Sequence, residues 1–245
     1  MTKAFAHRGF SSKYPENTML AFKKAIELGA DGLETDIHFT KDKQIVMIHD
    51  ENLYRTVGVK GFVSDYTLEE LRQFDASYKA VFGDKFSNNP IPTLREYFEM
   101  VSKEKDFITN IEIKTDNNEY PGIEKALVEL IDEFSLRQRI VISSFNHYSV
   151  MRFKALAPDV KCGFLLGDWI IDVGQYAKKH GIECVHPNYH NLTDECYKEM
   201  RDAGRQVNTW TVNSYADIER LIKMGVDIIM SDCPDKTLEA LNRLK

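Results

Sequence analysis

Glu34 and Asp36 stand two residues apart in the stretch Leu33-Glu34-Thr35-Asp36-Ile37-His38. Leu33, Thr35 and Ile37 alternate with the polar residues, which is the two-residue period of a strand with one apolar and one polar face. Both carboxylates therefore project to one side, where they repel each other unless a cation lies between them. Glu112 and Lys114 have the same spacing, so a third carboxylate shares a strand face with a fixed cation. His7 and Arg8 end a short apolar stretch, and His49 ends another. Three hard oxygen donors suit one divalent cation, Mg²⁺ or Ca²⁺, whereas zinc normally draws more His or Cys ligands. Arg8 and Lys114 suit a phosphate. His7 and His49 can each hold or accept a proton near neutral pH. A metal, two cations and two imidazoles around a phosphate describe phosphodiester hydrolysis. The cations favour the more concentrated charge of the transition state, one imidazole deprotonates the nucleophile, and the other protonates the leaving alkoxide.

The surrounding chain must bring these groups together. Lys41-Asp42-Lys43-Gln44 interrupts the second strand, and Ile45-Val46-Met47-Ile48 resumes as a strand. So short a connection cannot cross over a sheet, so the pair must be an antiparallel hairpin. With Asp42 and Lys43 as the two loop residues, Asp36 is expected opposite His49. A strand over 3–7 precedes a helix that Asn17 or Thr18 can cap and Gly29 can end. After residue 92, helices alternate with strands to the end of the chain, the last helix running from Pro234 onward. Strict strand–helix alternation over this length predicts an α/β fold, a closed (β/α)8 TIM barrel with the hairpin as an extension after the second strand. An open doubly wound sheet is the alternative, but GxGxxG is absent after the first strand. Residues 51–92 break the pattern with Gly58, Gly61, Gly83 and Asn88-Asn89-Pro90. They hold one clear short helix, from Thr67 with Glu70 as a capping box, and predict a functional insertion. It is expected to roof one side of the barrel mouth and shape the leaving-group pocket. The whole of 1–245 reads as a single domain.

In such a barrel the working residues lie at the C-terminal strand ends. Those ends offer His7, Arg8, Glu34, Asp36, Glu112, Lys114, His186 and Trp210, with Asp232 just beyond the last strand and His49 joining through the hairpin. His38, His147, His180 and His190 read as structural, and His186 as pocket lining at most.

Composition narrows the class. Hydrophobic residues are 43% of 245, enough for a large core, and the net charge of −6 argues against a nucleic-acid partner while leaving room for a local anion pocket. No run of eighteen apolar residues exists, so no membrane span is expected. The opening residues carry no long apolar segment, and the four cysteines lack CxxC spacing. Both features predict reduced thiols and a cytoplasmic protein. Nothing here fixes an oligomeric state.

His7-Arg8-Gly9, Pro15-Glu16-Asn17-Thr18, Glu34-x-Asp36, His49-Asp50, Glu112-x-Lys114 and Trp210-Thr211-Val212-Asn213 follow one another in this order. In that order and spacing the chain resembles the glycerophosphodiester phosphodiesterase family over nearly its whole length. Each motif alone is short, while the six in order are specific. The 51–92 segment looks like that family's insertion, and Ser231-Asp232-Cys233-Pro234 is a mild variant of its usual ending. The resemblance implies that Glu34, Asp36 and Glu112 ligate metal and that His7 and His49 are the acid/base pair. It also implies that Arg8 and Lys114 bind phosphate and that Trp210 packs against the glycerol side. The implied substrates are small phosphodiesters such as glycerophosphocholine, giving glycerol 3-phosphate and an alcohol. Two other readings compete. A phospholipase D-like enzyme acting on lysophospholipids or sphingomyelin would need an apolar entry surface, for which the insertion offers Phe62, Tyr66, Phe74, Tyr78, Val81, Phe82 and Phe86. A non-catalytic phosphate-binding barrel would have no reason to keep both imidazoles.

Overall fold

The computed structural model describes residues 1–244. Eight parallel strands close a barrel, namely β1 (Lys3–His7), β2 (Gly32–Phe39), β4 (Ile108–Ile113), β5 (Ile140–Ser144), β6 (Lys161–Leu166), β7 (Cys184–Pro187), β8 (Gln206–Thr209) and β9 (Ile228–Ser231). Pairing of β1 with both β9 and β2 completes the ring. A ninth strand, β3 (Ile45–Met47), pairs antiparallel with the C-terminal end of β2, Ile37–Phe39, beyond its pairing with β1. Eight helices wrap the barrel, from Met19–Leu28 to Pro234–Arg243. This is the (β/α)8 architecture that the alternation implies. Residue 245, at the end of the last expected helix, lies outside the described residues.

Local chemistry explains the boundaries. Thr18, not Asn17, caps Met19–Leu28 by accepting from the Ala21 amide, and Gly29 ends the helix in the left-handed region. Leu94–Val101 starts on a Thr93/Glu96 capping box, and Leu68–Leu71 on the expected Thr67/Glu70 box. The main core fills the layer between barrel and helices, with Phe22, Tyr97, Phe98, Phe153 and Phe164 among its largest side chains. A smaller cluster of Phe5, Ile228 and Met230 packs together, with Ile108 and Trp210 against it.

The hairpin register differs from expectation by one residue. Ile37 faces Met47, His38 faces Val46 and Phe39 faces Ile45. Lys41, Asp42 and Lys43 form a three-residue loop, with Lys43 left-handed at φ 58° and the Gln44 carbonyl accepting from the Thr40 amide. Thr40 selects this turn, because its hydroxyl donates to Asp42 (2.6 Å) and accepts from the Gln44 amide (2.9 Å). Asp36 therefore lies opposite Ile48, whose amide donates to its carbonyl at 3.2 Å. His49 still reaches the barrel mouth, because β3 stops at Met47 and the chain leaves the ladder.

The insertion folds as short turns rather than one helix: Tyr54–Val57, the 3-10 turn Val63–Asp65, Leu68–Leu71 and Lys79–Phe82. It shares a small core with the hairpin through Val46, Ile48, Leu53, Val63, Leu71 and Ile91. Its aromatic residues largely pack among themselves: Tyr66 on Phe74, and Phe82 on Phe86, which leans on Tyr14. Among the described residues, no helix is long and apolar enough to cross a membrane.

Candidate active site

β2 and β4 are in register, with Asp36 beside Glu112. Their inward faces thus place Glu34, Asp36 and Glu112 together, each offering an oxygen within 4.8 Å of the others. All three are buried. Burial, followed by the charges of Asp36 and Glu112, pushes the Glu34 carboxyl well above the usual range. Burial likewise raises Glu112 to about 7, against the pull of Lys114. Burial also opposes ionisation of Asp36, but His49, Arg8, Lys114 and the Asn17 amide outweigh it and hold Asp36 below the carboxylate range. Two fixed cations touch this cluster. Lys114 Nζ donates to Glu112 Oε1 at 2.8 Å, and Arg8 Nε lies 3.4 Å from Asp36 Oδ2. Asp36 Oδ1 is buried without a hydrogen-bond partner. Three carboxylates facing two cations, with one oxygen unpaired, are a donor set that fits a divalent cation.

The first βα turn brings in Arg8. Its backbone is left-handed at φ 55°, an uncommon conformation for arginine, and its amide donates to the Glu34 carbonyl at 2.9 Å. Gly9 follows at φ 79°, and a Cβ there would lie 2.7 Å from the Ala21 carbonyl carbon. Glu16 Oε1 accepts from Arg8 Nη1 at 2.9 Å, as its nearness in sequence suggests. Asn17, at φ 52°, donates to Asp36 Oδ2 (2.9 Å) and accepts from the Thr35 hydroxyl (2.7 Å). Its sequence role as a possible cap is thus replaced by a grip on the acid cluster.

The two imidazoles are held alike. His7 Nδ1 lies 2.7 Å from Asp232 Oδ1, and His49 Nδ1 lies 2.5 Å from Asp50 Oδ1. A carboxylate only accepts, so each Nδ1 carries the proton and each Nε2 is left for other work. His7 Nε2 is 3.7 Å from Glu34 Oε2, and His49 Nε2 is 3.4 Å from Lys114 Nζ. Burial and then the Arg8 charge lower the His7 pKa, while Asp232 pulls it back up. Asp232 is fixed by Asn213 Nδ2 (2.7 Å) and the Ser11 hydroxyl (2.9 Å).

One cleft is lined by His7, Arg8, Glu34, His49 and Glu112, with Phe145, Leu165, Trp210 and Met230 as its apolar wall. Trp210 Nε1 donates to the His186 carbonyl at 2.9 Å, and its ring meets Phe145 edge-on at 5.5 Å.

A family model described as the glycerophosphoryl diester phosphodiesterase family matches residues 7–236. The chain belongs to that family. It is accordingly a phosphoric diester hydrolase. A glycerophosphodiester phosphodiesterase from Caldanaerobacter subterraneus is 44% identical over 99% of this chain and 98% of its own. An Oleispira antarctica phosphodiesterase, solved with the product sn-glycerol-3-phosphate, is 27% identical with a TM-score of 0.86, covering 99% of this chain and 97% of its own. A solved structure from Silicibacter pomeroyi is 23% identical with a TM-score of 0.92, covers 100% of this chain and 94% of its own, and supports the fold.

In this glycerophosphodiester phosphodiesterase family member, all eight expected site residues converge at one barrel end. His186 does not line the cleft. Its ring is wholly buried, with Nε2 accepting from Asn208 at 2.9 Å. His38 is structural as expected, lying 3.0 Å from both the Tyr120 hydroxyl and the His49 carbonyl. No residue of 51–92 lines this cleft, but the insertion meets the barrel mouth beside it, through Arg55 on Asp50 and Glu16 and through Phe86 on Tyr14. Sequence reasoning passed over Asp50, Asn213, Phe145 and Arg55. Asp50 stood in a quoted motif without a role, while Phe145 and Arg55 sit in loop-rich stretches where periodicity is silent.

Proposed function

We propose that this chain hydrolyses small glycerophosphodiesters to glycerol 3-phosphate and an alcohol. The observation that carries the reading is the pair of imidazoles, each tied at Nδ1 to an aspartate and each lining one cleft with Arg8, Glu34 and Glu112, directly beside Asp36 and Lys114. Glu34, Asp36 and Glu112 would hold one divalent cation, Mg²⁺ or Ca²⁺. When bound, that ion supplies Lewis-acid polarisation of the phosphodiester and of a nearby hydroxyl. Arg8 and Lys114 hold the phosphate oxygens and favour the charge that develops on them. Trp210, with Phe145, gives the glycerol carbons an apolar wall.

Glycerophosphodiesters carry a hydroxyl beside the ester. Its tethering gives it an effective molarity of as much as roughly 10⁵ M or more when well oriented, an advantage water lacks. One imidazole Nε2 takes the proton of that hydroxyl as its oxygen attacks phosphorus. The other imidazole enters the step as the imidazolium and gives its Nε2 proton to the departing alcohol as the P–O bond breaks. The product of this step is a cyclic glycerol phosphate. Water then opens the ring with the two imidazoles in exchanged roles, and no phosphorylated enzyme forms.

The lysophospholipid alternative needs an apolar path for an acyl chain. The insertion's aromatic residues that were its best support are largely spent on packing, and none lines the cleft. The test compares glycerophosphocholine with the same diester lacking the 2-hydroxyl, and with a lysophosphatidylcholine. The expected result is rapid release from the first only. Equal cleavage of the deoxy diester would establish direct attack by water, and preference for the lysolipid would establish the alternative.

A further inference from the structure

Arg55 belongs to the short helix Tyr54–Val57 of the insertion and does not line the cleft. Its Nε donates to Asp50 Oδ2 at 2.6 Å, and Nη2 to Asp50 Oδ1 at 3.1 Å. Nη1 and Nη2 donate to Glu16 Oε2 and Oε1, both at 2.8 Å. Nη1 also reaches the Tyr78 hydroxyl at 3.3 Å. A guanidinium has five N–H donors, and these contacts occupy all of them.

Each carboxylate so held makes its next bond into the cleft. Asp50 accepts from His49 Nδ1 at 2.5 Å, and Glu16 accepts from Arg8 Nη1 at 2.9 Å. Arg55 therefore stands one carboxylate away from an imidazole and one carboxylate away from a phosphate-binding guanidinium. Without it, Asp50 and Glu16 would lose both the fork that fixes their rotamers and the charge between them. Tyr78 adds to the clamp. Its backbone is left-handed at φ 51°, uncommon for a bulky residue, and its ring lies 5.3 Å from the Arg55 guanidinium carbon.

We propose that Arg55 is a positioning residue for the diesterase reaction, setting His49 through Asp50 and Arg8 through Glu16. The insertion thus serves the cleft through this clamp. The inference rests on the roles proposed above for His49 and Arg8. A lysine is no substitute, because an ammonium cannot span two carboxylates with a planar fork.

The test measures kcat/KM for glycerophosphocholine in Arg55→Gln and Arg55→Lys, in the Glu16→Gln/Asp50→Asn double variant, and in the triple variant with Arg55→Gln added. Arg55→Gln and Arg55→Lys are each expected to lose at least about tenfold, because both partners act as a unit. Adding Arg55→Gln to the double variant is expected to cost less than about twofold, because Arg55 then has nothing left to position. An arginine that only staples the insertion would cost the same factor in both backgrounds, and that result overturns the proposal, as does wild-type kcat/KM in either single variant. If Arg55→Gln fails to fold by circular dichroism, Arg55→Lys decides by the same threshold. The His49 Nδ1 proton, assigned in the NMR spectrum by its loss in His49→Gln, gives a readout free of turnover. It is expected downfield and protected from exchange in the wild type, and exchanging rapidly in Arg55→Lys. An unchanged signal contradicts the proposal. Failure of the wild type to release glycerol 3-phosphate would sink the functional reading alone, and the proton signal would still decide the positioning.

Discussion

An imidazole moves protons well when one nitrogen is committed to a fixed acceptor and the other faces the reacting groups. His7 and His49 meet this condition through Asp232 and Asp50, at 2.7 and 2.5 Å. His7→Ala and His49→Ala are each expected to lower kcat by at least about a hundredfold, read in steady-state assays on glycerophosphocholine. Loss of less than tenfold from either would remove that residue from the acid/base pair. Asp232→Asn keeps the shape of the side chain but frees the His7 tautomer, so kcat is expected to fall with little change in KM. Asn17 makes a different kind of contribution. Asn17→Ala would strip a bond from buried Asp36 and leave the buried Thr35 hydroxyl without its acceptor. It is expected to cost about 1–3 kcal/mol in urea unfolding, and an unchanged midpoint would show that the grip is redundant.

The elements explain why these residues meet. The first βα turn reverses tightly enough to face β2 only because Arg8 and Gly9 both adopt positive φ. Gly9→Ala must strain the backbone and push into Ala21, so it is expected to destabilise by more than about 1 kcal/mol, measured by chemical denaturation. How far the sequence reveals the site follows the same lines. Glu34, Asp36, Glu112 and Lys114 are legible because strand alternation and the barrel's C-terminal rule place them. His49 is legible as a motif, but its route is not. One extra loop residue, chosen by the Thr40 hydroxyl, shifts the hairpin register and would turn His49 away from Asp36 if β3 continued past Met47. Arg55 is illegible because its partners, Glu16 and Asp50, come from two different loops and no period connects them.

At the scale of the whole barrel, the interior also carries polar groups outside the cleft lining. His186 is wholly buried, and burial lowers its pKa to about 3, whereas an unfolded chain titrates near 6.5. The folded state therefore binds fewer protons than the unfolded state between these values. The stability this gives is complete above about pH 6.5 and is lost as pH falls towards 3, at about 1.4 kcal/mol per pH unit. Urea unfolding from pH 6 to pH 5 should show a shallower decline in His186→Gln than in the wild type, and parallel declines would contradict the assignment. The closed ring also decides function, since β1, β2 and β4 must be neighbours for the carboxylates, Arg8 and His7 to share one cleft. The measurement that tests the central claim most directly is release of glycerol 3-phosphate from glycerophosphocholine by the purified protein, with and without excess EDTA, followed by adding back Mg²⁺ or Ca²⁺. Release that stops with chelator and returns with one of the two ions, and that stays absent in Glu34→Gln, is the expected result. Full activity in excess EDTA from protein shown to contain no metal would contradict the account.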